Sequence, residues 1–149
     1  HETLYQSENL SAIDMNIYLS KLGHDVARNY RIGSQVNLKV EAENISIGAK
    51  QASPIGLIIN ELITNSFKYA FPVTEDGEIK INLQKTEDQI ELEYADNGIG
   101  MPEGLDWKNS DTLGLKLVRT LVENQLNGSI NLESDNGTRF IIKFNINET

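Results

Sequence analysis

The chain has 149 residues, 39% apolar and 23% charged, with a net charge of −9. That is the composition of one soluble globular core, not of a disordered chain or of two full domains. No apolar run approaches the ~20 residues of a membrane span. The absence of cysteine excludes disulfides and thiolate metal sites and fits a reducing, cytoplasmic setting. Two histidines, His1 and His24, are too few and too scattered for a zinc centre. So acidic a chain is a poor partner for duplex nucleic acid, whose binding rests on Lys and Arg neutralising phosphates. Neither nucleic acid nor a membrane is expected to contact it. An anionic small ligand needs local help from a metal ion or a helix N-terminus.

The sequence opens without Met and without a basic-then-apolar leader, as expected of a piece of a longer protein. His1 to Asn9 read as the tail of a helix entering from upstream. Ser11, with Asp14 three residues on, is the expected cap of a helix over about Ile13 to Tyr30. Its apolar residues Ile13, Ile17, Leu19, Leu22, Val26 and Tyr30 recur at roughly helical spacing. Residues 1–30 thus read as a helical lead-in and residues 31–149 as the main domain.

Val36 to Ala42 alternates as a strand does. A second helix is predicted over about Ala49 to Ala70, ending before Pro72, with Pro54 early enough for its missing N–H to be tolerated. Ile79 to Leu83 and Ile90 to Tyr94 alternate at period two and are joined by polar Lys85 to Gln89, which predicts an antiparallel hairpin. A glycine-containing loop follows, from Asp96 to about Thr112. The third helix is expected over about Leu113 to Gln125, stopped by Gly128. Ser129 to Glu133 and Thr138 to Phe144 form a second hairpin around Asn136-Gly137. Antiparallel hairpins prevent the helices from all being crossovers of a parallel sheet. The predicted fold is therefore α+β: a two-layer sandwich with helices on one face of a mixed, mostly antiparallel sheet.

Four patterns carry chemistry. In the second helix, Glu61, Asn65 and Lys68 stand at i, i+4 and i+7 and share one face. An amide oxygen can coordinate Mg²⁺, an ammonium can meet a phosphate, and a carboxylate can polarise water or orient the metal shell. Alone, the row is also an ordinary solvated helix face. Asp96-Asn97-Gly98-Ile99-Gly100 follows directly on a strand. Its glycines let backbone approach a planar ligand, and Asp96 can accept a hydrogen bond from an exocyclic amine. Alone, it is also a common Asn-Gly turn. Thr112-Leu113-Gly114-Leu115-Lys116 places a glycine where a helix begins, exposing N–H groups to an anion. Gly137-Thr138-Arg139-Phe140 opens the last strand and is by itself a hairpin turn.

In this order and spacing the four patterns resemble the nucleotide-binding motifs of the GHKL ATPase superfamily, which has a Bergerat-type fold. The catalytic domain of two-component sensor histidine kinases is the nearest match within it. Asn60 to Phe71 resembles the N box, Asp96 to Gly100 the G1 box and Thr112 to Val118 the G2 box. Gly137 to Phe140 resembles the terminal Gly-Thr-x-Phe element, so the likeness spans Val36 to Phe144. His1 to Tyr30 resembles, less specifically, the junction after the dimerisation helices in the second HisKA-type, HWE-like branch.

The resemblance implies ATP and Mg²⁺ as cofactors. It implies Asn65 as metal ligand and Glu61 in the position of the general base of the ATP-hydrolysing branches. Lys68 is implied on phosphate and Tyr69 near the nucleotide. Asp96 becomes the reader of the adenine amine, with Gly98 and Gly100 shaping that wall. Gly114 and the backbone of Leu115 are implied against the phosphates, and Thr138 near the adenine end. The implied activity is donation of the γ-phosphate to a histidine in an upstream dimerisation domain, with a response regulator as indirect partner and a homodimeric full-length protein. Two departures stand out: the G2 box has one glycine, and Met101 to Leu113 is a short lid whose sole aromatic is Trp107. His24, in Leu22-Gly23-His24-Asp25-Val26, lacks the setting of a phosphoacceptor and reads as an ordinary helix residue. An anti-sigma-type serine kinase, or a nucleotide-binding module without catalysis, remain the alternatives.

Overall fold

The computed structural model describes residues 12–30, 35–71, 76–101, 106–109, 114–134 and 136–146. The predicted segment His1 to Asn9 and the cap Ser11 lie outside them. The elements in chain order are β1 (Ile13–Asp14), α1 (Met15–Arg28), β2 (Val36–Glu41), β3 (Ser46–Ile47), α2 (Ala49–Asn65), β4 (Gly77–Thr86), β5 (Gln89–Asp96), α3 (Leu115–Thr120), β6 (Ser129–Glu133) and β7 (Thr138–Asn145). Two π-helical turns extend the helices, Ser66–Ala70 after α2 and Leu121–Gln125 after α3.

Five strands form one sheet in the order β2-β4-β5-β7-β6. β2 joins β4 in parallel and every other pairing is antiparallel. Period-two alternation decides which face is buried. Ile79, Ile81 and Leu83 of β4 turn to the helices, as do Ile90, Leu92 and Tyr94 of β5 and Phe140, Ile142 and Phe144 of β7. The register aligns them in rows, Ile81 with Tyr94 with Phe140, and Leu83 with Leu92 with Ile142. The next row is Ile79, Asp96 and Thr138. The same alternation that buries the core thus sets a carboxylate and a hydroxyl on its last rung.

The opposite face is polar. Arg139 pairs there with Glu93 and Glu133, and Lys143 with Glu91. These cross-strand pairs fix the register of β5, β6 and β7 on the solvent side.

α2 is apolar on more than one side because it packs on the sheet and on α1. Ile55, Ile58, Ile59 and Ile63 are fully buried. Gly56 admits the hydroxyl end of Tyr18 from α1, and Gly23 of α1 admits Leu38 of β2. Pro54 stands one turn deeper than the tolerated first positions and forgoes the hydrogen bond to the Lys50 carbonyl on the exposed start of the helix. α1 begins two residues later than expected. Ile13 pairs with Ile47 in a two-residue ladder, and the side chain of Asp14 caps the helix by accepting from Ile17 N at 3.1 Å. The first hairpin is tighter than expected, since β4 and β5 run on to Thr86 and Gln89 and turn at Glu87-Asp88. Asn136 and Gly137 both take positive φ, as the Asn-Gly pair predicts.

Candidate functional site

Between the end of α2 and the last rung of the sheet lies a cavity of about 460 Å³. One wall comes from helix residues Leu62, Asn65, Ser66, Tyr69 and Ala70. The floor is Tyr94, Asp96, Thr138 and Phe140, and the third side is Ile99, Gly100 and Met101. Most of this lining is apolar, with a few polar groups converging at one end, the usual make-up of a small-molecule site.

Asp96 anchors that polar end. It is 7% exposed, a depth at which a carboxylate must be hydrogen-bonded. Oδ1 accepts from the backbone N–H of Gly98 at 3.0 Å and of Thr138 at 3.3 Å, and Oδ2 accepts from Ser66 Oγ at 2.6 Å. A carboxylate offers about four acceptor positions. Three are taken by the protein, which leaves room for a ligand donor. Beneath this, the buried Tyr94 hydroxyl lies 2.5 Å from Ser66 Oγ and 3.1 Å from the Leu62 carbonyl oxygen, to which it donates. Burial raises the Tyr94 phenol well above its ordinary pKa; the Ser66 hydrogen bond lowers it and the charge on Asp96 adds to the rise. Tyr94 is therefore a neutral donor at physiological pH.

The helix wall ends in the π turn Ser66–Ala70. Phe71 N–H donates to the Ser66 carbonyl oxygen, an i to i+5 bond. Tyr69 lines the cavity beside Asn65, whereas Lys68 is exposed and outside the lining. Glu61 also stands outside the cavity, against the start of α3. A β-carbon on Gly114, which has φ of +68°, would meet Glu61 Oε1 at 2.3 Å. Leu115 follows, its side chain buried in the core. Gly98 is wedged against the helix end: a β-carbon there would meet the Ala70 carbonyl oxygen at 2.5 Å.

Of the residues singled out from sequence, the structure gathers Asn65, Tyr69, Asp96, Gly100 and Thr138 around one cavity, with Gly98 bonded to Asp96 at its edge. Glu61, Gly114 and Leu115 form a second group at the neighbouring helix start. Ser66 and Tyr94 escaped the sequence reading, for a serine on a helix and a tyrosine on an alternating strand carry no signal of a shared hydrogen bond. Trp107 is the described anchor of the loop after Gly100. It packs edge-on against Phe140 at 6.0 Å, and its carbonyl accepts from Arg119 Nη1 at 2.5 Å. Of the predicted lid, Met101 and residues 106–109 are described and the rest lies outside.

Among the described residues no three His, Cys, Asp or Glu side chains gather to cage a metal. The donor set present, one amide oxygen at the cavity wall with a carboxylate a helical turn before it, fits Mg²⁺. That ion takes one or two protein ligands and fills its octahedron with water and phosphate oxygens. No helix among the described residues is long and apolar enough to cross a membrane.

A family model described as histidine kinase-, DNA gyrase B-, and HSP90-like ATPase matches residues 50–148. The sensor histidine kinase PdtaS of Mycobacterium tuberculosis is 30% identical over 100 residues, covering 65% of this chain and 20% of that protein. Blue-light-activated histidine kinase 2 of Erythrobacter litoralis is 27% identical over 135 residues, covering 90% and 38%. The serine-protein kinase RsbW of Listeria innocua is 30% identical over 106 residues, covering 62% and 64%. The solved histidine kinase domain of the Erythrobacter litoralis EL346 blue-light activated kinase superposes with a TM-score of 0.81 at 25% identity, over 96% of this chain and 70% of that one. The chain thus spans well under half the length of the sensor kinases it matches.

Proposed function

Since the chain belongs to the family of histidine kinase-, DNA gyrase B- and HSP90-like ATPases, we propose that its cavity binds Mg-ATP and that it donates the γ-phosphate to a histidine of an upstream dimerisation domain. Asp96 carries this reading: a nearly buried carboxylate with three acceptor positions filled and one left, on the floor of an apolar slot. That arrangement selects a flat ligand with an exocyclic amine. Adenine sits between Ile99, Met101 and the helix wall in this reading, with Thr138 and Gly100 bounding its edge. Tyr69, 54% exposed at the cavity mouth, flanks the sugar end.

The Asn65 amide oxygen holds Mg²⁺, which neutralises phosphate charge. Lys68 reaches the phosphates from the exposed side of the π turn. The backbone N–H groups of Gly114 and Leu115 point at the same anion from the start of α3. Glu61, seated against Gly114, orients the reacting end. Catalysis on such a scaffold is positioning and charge neutralisation. The domain serves a homodimeric sensor kinase and, through it, a response regulator.

The RsbW relatives give a second reading, transfer to a serine of a partner protein. The test is calorimetric titration of ATP with and without Mg²⁺, then γ-labelled ATP with a separate segment carrying an acceptor histidine. Acid-labile, base-stable label on that segment supports histidine transfer. Acid-stable label on a serine of an added partner supports the alternative. Absence of ATP binding refutes both.

A further inference from the structure

Asp96 reads a base edge well only if its carboxylate cannot turn. Its Oδ2 has one protein donor, Ser66 Oγ at 2.6 Å, and Ser66 has one proton to give. The Ser66–Tyr94 contact at 2.5 Å must then use the Tyr94 proton, shared between Ser66 Oγ and the Leu62 carbonyl oxygen. The chain of donors runs one way: Tyr94 to Ser66 to Asp96. Ser66 and Tyr94 are 2% and 1% exposed, so water does not compete for these groups. The chain also crosses the two layers. Ser66 opens the π turn next to Asn65, while Tyr94 and Asp96 sit two apart on the buried face of β5.

We propose that Ser66 and Tyr94 are positioning residues that lock the Asp96 carboxylate as an acceptor, and so set the site's selectivity for a base bearing an exocyclic amine. The inference rests on reading Asp96 as the base reader, and it adds that the selectivity is stored in this buried chain. Without the Ser66 hydroxyl, Oδ2 of a nearly buried carboxylate has no protein donor. The carboxylate then turns to find one, and the acceptor aimed into the cavity is lost.

The test uses two ligands and two variants. The affinities of ATP and of purine riboside triphosphate, which lacks the amine, are measured by calorimetry for the wild-type chain, Ser66→Ala and Tyr94→Phe. The wild type should prefer ATP by about tenfold or more. Ser66→Ala should bring that ratio to about threefold or less while changing affinity for the amine-free analogue by about twofold at most. Tyr94→Phe keeps the ring in the core and should give an intermediate ratio; it decides the matter if Ser66→Ala fails to fold. A purely structural role would weaken both ligands equally and leave the ratio intact. An unchanged ratio in a folded variant overturns this inference and leaves Asp96 as reader. No preference in the wild type overturns the reading of Asp96 itself.

Discussion

At Asp96 one carboxylate ties Gly98, Thr138 and Ser66 together and is the base reader we propose, and a single substitution separates the two tasks. Asp96→Asn keeps one oxygen to accept from Gly98 and Thr138 and presents an NH₂ toward Ser66 Oγ, which can accept. The fold should survive, and ATP affinity should fall by at least about tenfold, ~1.4 kcal/mol, in calorimetry. Unchanged affinity would remove Asp96 from base recognition. Asn65→Ala trims a residue of the cavity wall and should leave much of the adenine contact. ATP binding should then become nearly insensitive to Mg²⁺; a wild-type Mg²⁺ dependence in the variant would refute the assignment. Tyr94 offers a test by pH. Its raised pKa means the folded chain keeps a proton that the unfolded chain loses above 10.0, so stability is intact below that point and falls as pH rises past it. In denaturant melts from about pH 9 to about pH 11, Tyr94→Phe should lose stability less steeply than the wild type. Parallel slopes would contradict a buried neutral phenol.

At the level of elements, what sequence shows is what lies near in the chain. The period-two runs around Ile81 and Leu92 gave the hairpin and its buried face, and the Gly-rich turns marked where strands end. The π turn at Ser66–Ala70 was not legible, because a run such as Ser-Phe-Lys-Tyr-Ala is equally at home in an α-helix. Tyr69, four residues after Asn65, lines the cavity with it, as helical spacing alone would place it, and Lys68 does not. The start of α3 shows the same limit. Gly114 was recognisable as a helix-start glycine, but its partner Glu61 is brought there by packing of α3 on α2, which no local pattern encodes. Gly114→Ala combines a left-handed φ with a β-carbon 2.3 Å from Glu61 Oε1. It should cost about 1–2 kcal/mol and lower Tm by several degrees in a thermal melt. A variant as stable as wild type would show that this close approach is dispensable.

At the scale of the whole molecule, the sheet, the end of α2 and the loop after β5 build the cavity at Asp96, and the two histidines must be judged against it. His1 lies outside the described residues. His24 is on α1, where its Nδ1–H donates to the Ser20 carbonyl at 2.7 Å. It lines a shallow groove with Ile17, Lys21 and Arg28, and that groove shares no residue with the cavity at Asp96. Phosphoryl transfer needs the acceptor nitrogen in line with the γ-phosphate at near-contact distance. The packing of α1 on α2 and β2 holds His24 in a separate site from the cavity. The purified chain should therefore bind ATP without labelling itself. Adding upstream helices that carry an acceptor histidine should produce label on those helices alone. Incubation with γ-labelled ATP, followed by acid and alkaline treatment of each separated chain, reads the outcome, since phosphohistidine is lost in acid. Strong acid-labile label on His24 of the isolated chain would sink the assignment of this domain as a donor that acts only on another segment.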